Sequence, residues 1–152
     1  MVVSPLFQTL GVIVSVTHPL ANRDQLQLKD LCDYPLVMFH RAMAPDLYDD
    51  ILNRCKAGGY HPARIEHGMR TAEGLLFAND AVTFQTSTSL LARSPRCTWK
   101  PLVDEPLQWC AAFVCRQHEN SLPIIQTVYK YIMYSLQRND LWKPMPSEHY
   151  PA

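Results

Sequence analysis

Three short stretches carry the residues best suited to chemistry: Phe39-His40-Arg41, Arg70-Thr71 and Gln85-Thr86-Ser87. Each sits where a strand-like run gives way to a loop or a helix. Together they offer guanidinium groups, hydroxyls, an imidazole and an amide. If the strands run parallel, such exits converge on one edge of the sheet, where helix N-terminal N–H groups also point. That set suits a small carboxylate, which an arginine grips through paired hydrogen bonds. The competing reading is that Arg41 and Arg70 are solvated surface charges, and residue types alone leave the two level.

Other chemistries find little support. Gly58-Gly59 and Gly68 lack the spacing of a phosphate-cradling loop. The six histidines are scattered, none in the i, i+4 pattern of a metal-binding helix, and the nearest pair, His61 and His67, brackets a strand. No metal and no cofactor is expected. Ser87 and Ser89 lack the G-x-S-x-G turn that exposes a nucleophile. The five cysteines, at 32, 55, 97, 110 and 115, are odd in number and form no C-x-x-C pair. Cys32 and Cys55 fall at apolar-periodic positions and read as buried thiols in a reducing cytosol. With no acid/base or nucleophile constellation, the chain does not read as an enzyme.

The elements that must position the three exits follow from periodicity. Leu10–Val16 is short and β-branched, a strand that Pro19 ends. Leu26, Leu28 and Leu31 suggest a helical turn near Leu28–Cys32. Pro35–Phe39 is a continuous apolar run, typical of a strand buried on both faces. A helix starts at Pro45, with Asp46, Asp49 and Asp50 near its positive end. Leu47, Tyr48, Ile51, Leu52 and Cys55 form its inner stripe, and Gly58-Gly59 stops it. Ala63–His67 alternates as a strand. Thr71–Asn79 reads as a helix with Thr71 as its cap and Leu75, Leu76 and Ala78 inward. Ala81–Phe84 and Trp109–Cys115 read as strands, and Leu90–Leu91 as a helical turn. Ser121–Leu136 is the strongest helix, capped by Ser121, with Pro123 in its first turn. Ile124, Ile125, Val128, Tyr131, Ile132 and Ser135 make one face of it. The proline-bearing tail from Asn139 reads as loose. Strands alternating with helices between residues 10 and 90 predict βαβ units and a largely parallel sheet.

Composition bounds the partners. The 14 basic and 14 acidic residues cancel, so the chain lacks the field that holds nucleic acid by its phosphates. Apolar residues make up 47% and charged residues 18%, a globular balance rather than a disordered one. No run approaches the ~20 apolar residues of a membrane span. No basic residue precedes Arg23, which argues against a signal peptide ending near Ala21.

Six phrases in order carry a family likeness: HPLA (18–21), LKDLCDYPLV (28–37), PDLYDDILNRCKAGGYHP (45–62), TAEGLLFANDAVTFQTS (71–87), WKPLVDE (99–105) and AAFVCRQHENS (111–121). Their sequence resembles the effector-binding domain of LysR-type transcriptional regulators, over about residues 8–138. The phrasing around Pro35–Phe39 and Ala44–Gly58 looks most like the branch that senses aromatic compounds. The resemblance implies an α/β, periplasmic-binding-protein-like (type 2) fold with a parallel-rich sheet, its second lobe complete and its first partial. Residues 1–17 would be a remnant of the first lobe and the first crossing strand. Residues 18–108 would be the second lobe, 109–138 the return strand and a helix packing on the first lobe, and 139–152 a flexible tail.

By the same resemblance the inducer-facing residues are Phe39, His40, Arg41, Arg70, Thr71, Gln85 and Thr86. The implied partners are a small-molecule inducer, aromatic or carboxylate, and further copies of the chain or a full-length regulator. DNA is bound only through a helix-turn-helix domain absent from these residues. The setting is the cytoplasm, with no membrane. The family's G-L-G turn reads Asn79-Asp80-Ala81 here, with Asn79 able to take the left-handed conformation. Two rivals share the pattern: a solute-binding protein of a transporter, and a truncated interaction module with no ligand.

Overall fold

The computed structural model describes residues 3–68, 72–103, 107–113, 116–119, 121–138 and 143–144. The chain divides into two compact units. One is Leu10–Leu107, and the other joins Met1–Thr9 to Gln108–Ala152.

The first of these is built around a strand buried along its whole length. Gly11–Ser15 (β2) has no exposed residue. Its side chains alternate between two cores, as a strand's must. Val12 and Val14 enter a cluster with Leu28, Leu31, Leu36, Met38, Tyr48, Ile51 and Cys55. Ile13 enters another with Val37, Ala72, Leu76, Ala81 and Cys97. Leu36–Met38 (β3) divides the same way, Leu36 and Met38 to the first cluster and Val37 to the second. Pro45–Ala57 (α1) supplies Tyr48, Ile51 and Cys55 to the first core. Ala72–Asn79 (α2) supplies Ala72 and Leu76 to the second. The expected inward Ala78 is exposed instead.

Strand directions are mixed. Ile65–His67 (β4) pairs parallel with β3, with Met38 opposite His67. A parallel bridge from Leu36 to Val82 aligns the next strand, Thr83–Gln85 (β5), in the same direction. These three are the expected βαβ succession. β2, however, runs antiparallel to β5 on one side and to Cys97–Pro101 (β6) on the other. Parallel pairing thus prevails around β3 and not at β2. Nothing in the local pattern of β6 announced a strand, because Pro95 stands just before it and Pro101 is its last residue.

Local punctuation explains the boundaries. α1 begins at Pro45, as expected, and ends in a Schellman motif. The Tyr60 N–H donates to the Cys55 carbonyl at 2.8 Å and the Gly59 N–H to that of Lys56 at 3.1 Å. Gly59 takes φ +84°, which costs a glycine nothing. Near the family-like turn, the left-handed residue is Asp80 (φ 46°) and not Asn79, which closes α2. The Asp80 carbonyl is held by His18, whose Nε2–H donates to it at 2.9 Å while Nδ1 accepts the Leu20 N–H at 3.1 Å. His18 is only 2% exposed. Burial lowers its pKa against the opposing pull of the Asp80 carbonyl.

In the other unit, Val3–Thr9 (β1) is the middle strand. It lies antiparallel to Gln108–Phe113 (β7) and to Lys143–Pro144 (β8). The residues before Leu10 therefore form a strand of their own, which periodicity had left unassigned. Its register with β7 is irregular between Val3 and Leu6, where Pro5 removes a donor. Pro123–Gln137 (α3) starts at its proline, but Leu122 is the cap and makes no side-chain bond, so Ser121 does not cap it. Its expected apolar face is largely solvent-facing: Ile124, Val128, Tyr131 and Ile132 are exposed. Of the expected tail, residues other than Lys143–Pro144 lie outside the described residues.

Two outcomes test this packing. A Cβ on Gly11 would overlap the Trp99 ring and the Lys100 carbonyl. Gly11→Ala is expected to destabilise by about 1–3 kcal/mol, read as a lower urea midpoint. His18 binds its proton less readily folded than unfolded. The unfolded state therefore takes up more protons as pH falls below about 6.5, and stability drops there. Urea unfolding at pH 7.5 and 5.5 should show this loss in the parent chain and a smaller one in His18→Gln.

Candidate functional site

Because β3, β4 and β5 share a direction, their carboxyl ends lie on one edge of the Leu10–Leu107 unit. In open α/β sheets that edge is where ligands sit. The structure places a cleft there, between the end of β5 and the first turn of α2. It has a volume of about 440 Å³ and is lined by Ala72, Glu73, Gln85, Ser89, Leu90, Leu91 and Ser94. That volume falls within the few hundred to ~1,000 Å³ of small-molecule pockets.

Gln85 is the expected residue that lines the cleft. Its main chain is anchored, since Trp99 Nε1–H donates to the Gln85 carbonyl at 2.9 Å. Thr86 follows, with its hydroxyl 3.3 Å from that of Thr88. Phe39, His40 and Arg41 do not line the cleft. Phe39 is half-buried with its ring edge-on to Tyr48. His40 is exposed, and its Nδ1 accepts the Ala42 N–H at 3.3 Å. The Arg41 guanidinium forks onto the Asp49 carboxylate, with Nε donating to Oδ1 at 2.8 Å. Hydrogen bonding to Arg41 holds the Asp49 carboxyl below its ordinary range. A guanidinium so paired is already supplied with an anion. Arg70 and Thr71 lie outside the described residues.

Sequence reasoning missed the rest of the lining. Glu73 brings the cleft's negative charge, and Ser94 Oγ donates to its Oε1 at 2.9 Å. Ser89 Oγ accepts the Ala92 N–H at 3.2 Å. No sequence signal ties Glu73 to Ser94, because 21 residues separate them. Apart from the cleft, Gln8 of β1 is 3% exposed and its Nε2 has no partner among the described residues.

No group of three or more His, Cys, Asp and Glu side chains with metal-binding geometry occurs among the described residues. Nor is any described helix long and apolar enough to cross a membrane. Cys55 is buried, whereas Cys32 is only half-buried and its thiol donates to the Gly59 carbonyl at 3.0 Å. Burial pushes the Cys55 thiol up to about 12 and raises that of Cys97. Neither is a ready nucleophile.

The Leu10–Leu107 unit is thus a mixed sheet with α1 on one face, α2 on the other and a cleft at its carboxyl edge. The model of the LysR substrate binding domain matches residues 3–136, and the chain belongs to that family. A curated relative, the HTH-type transcriptional regulator BudR of Raoultella terrigena, is 28% identical over 109 residues. The match covers 69% of this chain and 37% of BudR, well under two thirds of that relative's length. Among solved structures, the regulatory domain of MetR from N. meningitidis superposes with a TM-score of 0.68 at 11% identity, over 96% of this chain and 69% of that one. The BenM effector binding domain with its effector benzoate superposes at 0.60 and 18% identity, over 99% and 69%. The shared fold is the periplasmic-binding-protein-like type 2 α/β fold that the six phrases implied.

The thiol chemistry is open to test. At pH 8 Cys55 is expected to resist a disulfide reagent in the native chain and to react fully in urea. Mass mapping of the labelled peptides reads this directly.

Proposed function

We propose that this chain is the ligand-sensing part of a LysR-type transcriptional regulator, acting by binding and not by catalysis. In this reading the ligand is a small carboxylic acid of the aromatic-responsive branch, and residues 18–108 are the lobe that holds it. The observation that supports it is the 440 Å³ cleft at the carboxyl edge of the parallel strands. Leu90, Leu91 and Ala72 offer apolar surface to a ring. The Gln85 amide and Thr86 are assigned to the carboxylate, together with Arg70 and Thr71, which the family resemblance implies face the inducer. Phe39, His40 and Arg41 do not line the cleft and take no part in this reading. Occupancy then changes the arrangement of a homo-oligomer, and the complete regulator meets DNA in the cytoplasm through a helix-turn-helix domain. The similarity to the benzoate-bound BenM domain adds weight to an aromatic acid.

Titration calorimetry with benzoate tests this. Saturable heat is expected. Gln85→Ala and Arg70→Ala should each weaken binding about tenfold, on the order of 1.4 kcal/mol. Arg41→Ala should leave it unchanged, because Asp49 holds that guanidinium. Absence of heat with benzoate, or equal binding by a Ser89→Trp variant that fills the cleft, overturns the assignment.

A further inference from the structure

The parallel register of β3 and β4 has a second product, away from the cleft. Met38 stands opposite His67, so His40, two residues further on, comes diagonally across from it. The two imidazoles lie with ring centroids 4.9 Å apart and planes tilted by 42°. Both residues are exposed. Tyr48 of α1 lies behind them, its ring centroid 6.2 Å from that of His67.

That separation has a chemical meaning. A divalent metal sits about 2.0–2.1 Å from an imidazole nitrogen, and the ring centre lies ~1.1 Å behind that nitrogen. Two imidazoles that meet one ion at an angle of ~90–110° then have centroids about 4.5–5.2 Å apart. The observed 4.9 Å falls inside this interval. Imidazole is a donor of choice for nickel, copper and zinc.

We infer that His40 and His67 form a two-histidine site for a late divalent transition-metal ion, with its remaining positions open to water or to a ligand's oxygen. Among the described residues, the cations nearest in sequence are already paired: Arg41 with Asp49, and Arg64 with Glu66. Tyr48 contributes an aromatic wall. One local cost is visible. The His40 Nδ1 accepts the Ala42 N–H at 3.3 Å. Coordination through Nε2 shifts the ring proton to Nδ1 and gives up that long, exposed bond. The Ala42 amide therefore becomes a reporter of the metal.

The probe is nickel(II) alone, added to the complete chain at pH 7.5. Calorimetry is expected to show one equivalent bound, with affinity at least tenfold weaker in His40→Ala and in His67→Ala. His61→Ala and His118→Ala, at exposed histidines elsewhere, should match the parent. On the unsubstituted chain, an amide-correlation NMR spectrum should show the Ala42 and Gly68 signals broadened first, a readout that survives misfolding of any variant. Loss of binding in His61→Ala or His118→Ala, retained affinity in both His40→Ala and His67→Ala, or broadening that begins elsewhere overturns the site.

Discussion

β2 is the strand on which the Leu10–Leu107 unit depends. It is hydrogen-bonded along both edges, antiparallel to β5 and β6, and covered on both faces by separate apolar clusters. Burying Val12, Ile13 and Val14 contributes roughly 1.5–3 kcal/mol each, and neither face can relax without disturbing its cluster. This double confinement also explains Gly11. Trp99 and the Lys100 carbonyl crowd the space where a side chain would stand. The same Trp99 then reaches across to the Gln85 carbonyl. One strand thus fixes the end of β5, and with it the wall of the cleft.

The connections obey the same economy. Fully buried strands leave their loops to find partners of their own. His18 bridges two of them, receiving the Leu20 N–H and donating to the Asp80 carbonyl. That carbonyl belongs to the one described non-glycine residue with positive φ, so a buried neutral imidazole stabilises the turn that sends the chain from α2 into β5. Thr83 adds a buried bond from its hydroxyl to the Val37 carbonyl at 2.8 Å. The entry into β5 is therefore held by specific polar contacts under an apolar frame.

In the unit formed by Met1–Thr9 and Gln108–Ala152, the described apolar stripe of α3 is the exposed feature. β1 is paired on both edges, yet α3 leaves Ile124 and Tyr131 at 65% and 76% exposure. An amphipathic helix ordinarily buries that stripe. The chain corresponds to 69% of the neighbouring regulatory domains, and the contrast between the two units lies in how much of each helix's apolar stripe is covered. α1 buries its stripe in the first core, while α3 presents much of its own to solvent.

What the sequence determined by itself was local or periodic. α1 was legible because Pro45, a five-residue stripe and Gly58-Gly59 all agree. β3 was legible because a strand covered on both faces has no polar positions to disguise it. Gln85 was reachable because a strand's exit can be counted from its apolar run. The family likeness, spread over six ordered phrases, was also legible. Only the tertiary structure decided the rest, because contacts across a fold do not follow spacing. Arg41 meets Asp49 through the approach of a loop to α1 and leaves the cleft without it. Glu73 meets Ser94 across 21 residues. His40 and His67 become neighbours through a parallel register set by buried Leu36 and Val37. The apolar face of α3 was written in its sequence, but whether anything covers such a face depends on the neighbours that the rest of the fold supplies.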